Sequence, residues 1–80
     1  MERITVLGIQ EILFTEKFMH EAPTDSWTAA AVNGYSAYLQ SLGVPYPSYT
    51  MLPNRLEDLP VSLRRKLELR RSIRFTTNGE

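Results

Sequence analysis

The hydrophobic and polar positions divide the chain into three segments, separated by residues that interrupt regular structure. The first break is the run Pro23, Thr24 and Asp25, and the second is GVPYPSYTMLP at residues 43–53. No segment is long enough to bury a core on its own. The sequence therefore predicts a single domain over residues 1–80, with a frayed end at residues 76–80.

The first segment combines a β-rich start with a helical continuation. Its beginning, RITVLGI, contains several β-branched residues, which favours a short strand near residues 3–7. The following IQEILFTEKFMHEA places apolar side chains three and four residues apart, which predicts a helix near residues 9–21. Gly8 is the predicted hinge, because a residue without Cβ tolerates unusual backbone angles. A hairpin through this region is the alternative.

The second segment is predicted to form a helix near residues 26–42. Its apolar positions recur at helical spacing and predict an aromatic side that faces the core: Trp27, Ala31, Tyr35, Tyr38 and Leu42. Asp25 or Ser26 is the predicted N-cap. Gly43 stands where a helix commonly ends in the left-handed backbone conformation.

The pair Asn33-Gly34 favours a different structure for the same segment, because Asn-Gly is typical of a tight β-hairpin turn. Three consecutive alanines before the pair, together with the caps, favour the helix. In that helix, Ala30, Gly34 and Ala37 line one side and let another backbone approach closely. We call these three residues the small-residue seam, which is predicted to pack within the chain or between copies of it.

The third segment is predicted to be a helix near residues 58–69 followed by a strand. Four leucines fall on one side of the helical wheel: Leu56, Leu59, Leu63 and Leu67. Asp58 is the predicted cap, and Pro60 suits a first turn because its missing amide has no intrahelical partner there. Beyond Arg70, the alternation in SIRFTT predicts a strand near residues 71–76.

Together these elements predict a helix-rich α+β domain of three helices, with a short β-pair between the N- and C-terminal segments. Antiparallel pairing of residues 3–7 with residues 71–76 would close the domain. One edge of each strand would remain open to a second copy of the chain.

The chain contains no cysteine, which excludes disulfides and thiol chemistry and fits a reducing compartment. Its N-terminal apolar run is interrupted by Gly8, Gln10 and Glu11 and is too short for a signal peptide or a membrane span. We therefore expect a cytoplasmic protein that does not bind membranes.

The net charge is zero, but its distribution along the chain is uneven. Residues 1–40 carry two basic and five acidic residues, whereas residues 41–80 carry seven basic and four acidic residues. Six of the nine basic residues lie in RRKLELRRSIRF, residues 64–75. This polarity suits either an external partner or attraction between the two halves of the fold.

Side chains that carry catalysis or bind metals are scarce. His20 is the only histidine, and the four glycines are too dispersed for a phosphate-binding loop. A general base also needs an orienting partner and a cleft, for which this short chain has little room. Metal sites need clustered His, Cys or acidic ligands, which the sequence lacks. We expect no enzyme activity, no catalytic residues, no metal and no cofactor.

The candidate partner-binding residues are charged or aromatic. Arginine can bind carboxylates and phosphates through paired hydrogen bonds, whereas tyrosine and tryptophan offer large contact areas. The predicted partner-binding residues are Arg64, Arg65, Arg70, Arg71, Arg74, Trp27, Tyr46 and Tyr49. Glu68 lies within helical reach of both Arg64 and Arg71, so part of this charge is expected to be neutralised locally.

The leading hypothesis is a non-enzymatic interaction module, a small regulatory, adaptor or inhibitor-like protein that binds another protein through a rigid face. One alternative is nucleic-acid binding through the basic patch from Arg64 to Arg74, which the zero net charge disfavours. The other alternative is a structural subunit of a homo-oligomeric assembly that packs through the small-residue seam.

Overall fold

Three α-helices and a short 3-10 turn form the described part of the computed structural model. The structure describes residues 1–45 and 52–78, and of residues 71–78 it describes the backbone alone. In chain order the elements are α1 at Arg3–Thr15, α2 at Ala29–Ser41, the 3-10 turn at Leu56–Asp58 and α3 at Val61–Asn78. The helix-rich class is as predicted, but the described residues contain no strand.

The predicted β-pair is wrong, because both segments assigned to it are helical. Residues 3–7 belong to α1, and residues 71–76 continue α3. The buried side chains of α1 follow helical spacing: Val6, Ile9, Gln10, Ile12 and Leu13. Burial of this side outweighs the β preference of the branched residues. With α1 helical, a strand at residues 71–76 would lack that partner, whereas a helix pairs its backbone groups internally.

Gly8 is an interior residue of α1 and not a hinge. A Cβ atom added to Gly8 would lie 3.1 Å from Cδ2 of Leu67 on α3. Ordinary contacts of a Cβ atom are longer than this, so glycine allows the two helices to approach each other closely at this point.

Helix α2 confirms the helical prediction for the second segment, because Asn33-Gly34 lies within it. Its N-cap is Thr28, whose Oγ1 accepts a hydrogen bond from the Ala31 amide at 3.2 Å. The predicted caps Asp25 and Ser26 precede this position, so that prediction is wrong.

Helices α1 and α2 end with the same backbone hydrogen-bond pattern, the Schellman motif. Its bonds run from Lys17 N to Phe14 O and Phe18 N to Leu13 O after α1, and from Gly43 N to Gln40 O and Val44 N to Leu39 O after α2. Gly43 has the predicted left-handed backbone, with φ of 95°, whereas the corresponding residue after α1 is Lys17, with φ of 66°. The α1 ending therefore places a side chain in a conformation that normally favours glycine.

The core is built from all three helices and their connections. Its buried members are Ile9, Ile12, Leu13, Met19, Ala31, Tyr35, Tyr38, Leu39, Leu59 and Leu63. Among the predicted leucine face, Leu59 and Leu63 are buried and Leu67 is partly buried, but Leu56 is exposed. Both Leu56 and Leu59 precede α3, which begins only at Val61, so the helical spacing assumed for the four leucines does not apply to them.

The start of α3 differs in detail from the prediction. The Pro60 carbonyl accepts a hydrogen bond from the Arg64 amide at 3.0 Å, which places Pro60 at the N-cap position, directly before the first turn of α3. The Asp58 carboxylate instead accepts from the Asn54 amide at 3.3 Å, and it lies in the preceding 3-10 turn.

Gln10 attaches the connection between α1 and α2 to the core. Its side chain is fully buried, yet both ends of the amide are paired. Nε2 donates to the Ser26 carbonyl at 2.6 Å, and Oε1 accepts from the Thr24 amide at 2.9 Å. These bonds offset the cost of burying a polar group and hold the start of α2 against α1.

Candidate interaction face

Two ion pairs join the inner side of α3, which faces α1, to that helix. Lys66 Nζ lies 2.7 Å from Oε2 of Glu16, and Arg70 Nη2 lies 3.0 Å from Oε1 of Glu11. Both acids come from the negative half of the chain and both cations from the positive half. Part of the charge polarity is therefore used to hold the fold together.

Lys66 is held by its neighbours on several sides. The hydrogen bond to Glu16 raises the pKa of Lys66 above its ordinary value. Lys66 Nζ also lies 5.2 Å from the centre of the Tyr38 ring, a distance suited to a cation–π contact. Tyr38 Oη is in turn 2.6 Å from Ser62 Oγ. Such a Lys66 is a positioned structural cation rather than a free binding group.

The outer side of α3, turned toward solvent, carries exposed apolar and basic residues one turn apart. Val61 and Leu69 are 58% and 62% exposed, and Arg65 lies midway between them. We call these three residues the outer stripe. Within the described residues, no salt bridge involves Arg65 or its neighbour Arg64.

Leu69 connects the outer stripe to an open groove between α1 and α3. The groove is lined by Ile12, Thr15, Glu16, Lys66, Leu69 and Arg70. Leu69 provides most of its exposed apolar surface, while Ile12, only 4% exposed, lies at its floor. The two ion pairs across α1 and α3 brace its walls. A partner side chain that contacts Leu69 can also reach the groove.

The predicted arginines differ in their surroundings. Arg65 is exposed, Arg64 is half-buried, and Arg70 is paired with Glu11. The backbone of residues 71 and 74 is helical, but the side chains of Arg71 and Arg74 lie outside the described part. Among the arginines of the patch with described side chains, Arg65 is the most accessible.

Of the three predicted aromatic anchors, the structure describes only Trp27. Trp27 is partly buried and packs edge-on against Tyr35, with ring centres 5.6 Å apart. Burial raises the pKa of Tyr35, and the nearby charge of Asp58 acts in the same direction. Tyr46 and Tyr49 lie outside the described residues.

The small-residue seam has an intramolecular contact at its centre. A Cβ atom added to Gly34 would lie 2.9 Å from Met19 Cβ and 3.1 Å from the Phe18 carbonyl oxygen. Ala30 and Ala37 are partly buried, and Ala30 packs against the core. The close approach within the chain explains glycine at position 34, and a contact between copies stays a prediction.

Sequence reasoning missed Val61 and Leu69 as candidate binding residues. It followed the leucines expected to face the core and ended the helix near Arg70. The signal was nevertheless present, because positions 61, 65 and 69 share one side of a helix at four-residue spacing. Recognising this required the true start and length of α3.

Other site types find no positive support in the described residues. No group of three or more His, Cys, Asp or Glu side chains there is arranged to hold a metal ion. None of the helices there is long and apolar enough to cross a bilayer. No significant similarity to a protein-family model, a curated protein or a solved structure was found.

Proposed function

We propose that this protein is a non-enzymatic interaction module that binds another protein through the outer stripe of α3. The observation that carries the proposal is the exposure of Val61 and Leu69, at 58% and 62%, on either side of an arginine without an ion pair in the described residues. Covering exposed aliphatic surface of this kind with a partner favours binding, because it removes apolar area from water. The charge of Arg65 would orient the partner on this face and favour partners that carry a complementary negative charge.

The stripe is on a rigid element, which suits recognition without large rearrangement. Leu63, on the opposite side of α3, is fully buried in the core, and Lys66 and Arg70 are tied to α1. Because α3 is already ordered in the free protein, binding costs little conformational entropy in its backbone. A preformed face of this kind suits a small regulatory, adaptor or inhibitor-like protein.

Ion pairing within the fold distinguishes the predicted arginines from one another. Arg70 would have to leave Glu11 before binding a partner, whereas Arg65 is available without breaking an ion pair of the described fold. We therefore assign the main charged contact to Arg65, with Arg64 beside it, and we assign Arg70 to the fold.

The test is affinity capture from native extract with the wild-type protein, Arg65→Glu and the matched control Arg3→Glu. Both substitutions reverse one exposed arginine and change the net charge equally, but Arg3 lies in the first turn of α1. We expect Arg65→Glu to lose a partner protein that wild type and Arg3→Glu retain, as identified by mass spectrometry. Equal capture by all three forms would contradict the proposal.

Two further arms address the alternatives. Nuclease treatment that removes all captured partners would favour nucleic-acid binding over protein binding. Light scattering that shows a stable multimer, lost on substitution of the small-residue seam, would favour a homo-oligomeric subunit.

A further inference from the structure

We infer that the outer stripe binds an amphipathic helix of another protein, one that carries a carboxylate between two apolar side chains. This inference rests on the proposed function, because it names the chemistry of the partner for the same face. Its basis is the order of apolar, basic and apolar residues along α3, together with the ion pairs that neutralise Lys66 and Arg70.

The spacing of the stripe matches a helix. Val61, Arg65 and Leu69 are separated by four residues each, so the stripe is about 12 Å long at 1.5 Å per residue. A partner helix that lies along α3 presents side chains at the same intervals on one side. Its two apolar residues would cover Val61 and Leu69, and a carboxylate one turn from each would meet Arg65.

The groove beside Leu69 would hold the apolar side chain at one end of the partner's contact surface. An apolar partner side chain placed against Leu69 also enters the groove, whose floor includes Ile12 of α1. The charged groups of the groove walls need no new partner when water is displaced, because Lys66 binds Glu16 and Arg70 binds Glu11. Burial there leaves no unpaired lysine or arginine on the walls, which keeps the desolvation cost low.

Because Lys66 and Arg70 are already paired with carboxylates of α1 and its C-cap, the carboxylate of the partner would bind Arg65 and not these two cations. Lys66 and Arg70 already hold carboxylates at 2.7 Å and 3.0 Å. Arg65 is exposed and has no ion pair among the described residues. A planar guanidinium in this state can bind a carboxylate through two hydrogen bonds.

A second copy of this chain is a poorer occupant of the stripe. Pairing two α3 helices about a two-fold axis through the centre of the stripe would bring Arg65 against Arg65 of the copy. Like charges at the centre of an interface oppose association. An acid-bearing helix from a different protein provides the complementary charge at that point.

The direct test uses two synthetic helical peptides of about 20 alanine-rich residues, a length at which an isolated helix can form. One carries Leu, Glu and Leu at positions i, i+4 and i+8, and the other replaces Glu with Lys. With fluorescein-labelled peptides, we expect anisotropy to show at least tenfold tighter binding of the acidic peptide to the wild-type protein. Arg65→Glu should reverse this preference, and Leu69→Ser should weaken binding of the acidic peptide.

Arg3→Glu is the control and should keep the wild-type preference, with circular dichroism showing that every variant is folded. Failure of the acidic peptide to bind, equal binding of both peptides, or an unchanged preference in Arg65→Glu would overturn the inference. Light scattering that shows a dimer disrupted by Leu69→Ser would overturn it in favour of a second copy.

The two proposals fail in distinguishable ways. If Arg65→Glu loses a captured protein but the peptides show no charge preference, the interaction face stands and the partner is not an acidic helix. If capture from extract does not depend on Arg65, the proposed face is wrong whatever the peptides show.

Discussion

The inner and outer sides of α3 carry the same kinds of residue in different surroundings. On the inner side, Leu63 is fully buried and Arg70 binds Glu11. On the outer side, Leu69 is 62% exposed, and Arg65 has no ion pair in the described residues. Leucine and arginine therefore stabilise the fold on one side and remain available for binding on the other.

The comparison shows that the cations of the basic run with described side chains lie in different surroundings. Lys66 and Arg70 neutralise acids of the N-terminal half, so they contribute to how α1 and α3 are held together. Arg65 shares their charge but not their partners. A substitution in this run should affect either stability or binding, according to the side on which it lies.

The largest contrast is expected between the two leucines. Leu63→Ala should lower the free energy of unfolding by about 2–5 kcal/mol, because it leaves a cavity in the core. Leu69→Ala should change it by less than about 0.5 kcal/mol, since the side chain already contacts solvent. Urea denaturation followed by circular dichroism measures both values. Similar losses for the two variants would show that the outer stripe is buried in solution.

A smaller contrast is expected between the two arginines. Arg70→Met should lower the free energy of unfolding by about 0.5–1 kcal/mol through loss of the pair with Glu11, and Arg65→Met should have almost no effect. A double-mutant cycle with Glu11→Gln isolates the pair. The coupling should weaken at high salt. A coupling energy near zero at low salt would show that the Arg70–Glu11 pair does not stabilise the fold.

The smallest expected effect concerns Lys66 at alkaline pH. Its raised pKa means that the folded chain holds the proton more tightly than the unfolded chain. This stabilisation is complete below the unfolded pKa of about 10.5 and is lost as pH rises through the folded pKa. As the pH rises above about 10.5, Lys66→Met should therefore lose less stability than wild type.

Tyr35 must be controlled in that measurement. Its raised pKa also makes the folded chain lose stability above its ordinary value of about 10. Both forms contain Tyr35, so the difference between wild type and Lys66→Met isolates the lysine, and Arg65→Met should follow wild type. An identical pH dependence in all three forms would contradict a role for the Lys66–Glu16 pair.

The helix α2 shows how accurately local sequence patterns predict the bounds of a helix. Spacing of the aromatic residues and the glycine at position 43 were sufficient to predict its extent within three residues at the start and one at the end. The hairpin suggested by Asn33-Gly34 does not form, because the surrounding helix buries Tyr35 and Tyr38 in the core.

The helices α1 and α3 were predicted less well because their ends depend on each other. The sequence patterns of residues 3–7 and 71–76 each favour a strand, and each predicted strand supplies the pairing partner of the other. Once burial of Val6 and Ile9 places α1 in helical form, no described strand remains to support the second. Gln10 was likewise read as a polar interruption, although it is buried and bonded to the 24–26 segment.

The sequence by itself determined a small helix-rich chain with two main breaks, a left-handed stop at Gly43 and a basic C-terminal half. These properties depend on residues within a few positions of one another, so local spacing reveals them. Only the tertiary structure decided that Lys66 pairs with Glu16 and that Arg70 pairs with Glu11. It also decided that Arg65 has no ion pair among the described residues. The physical reason is that exposure and ion pairing depend on which side of a helix its neighbours cover.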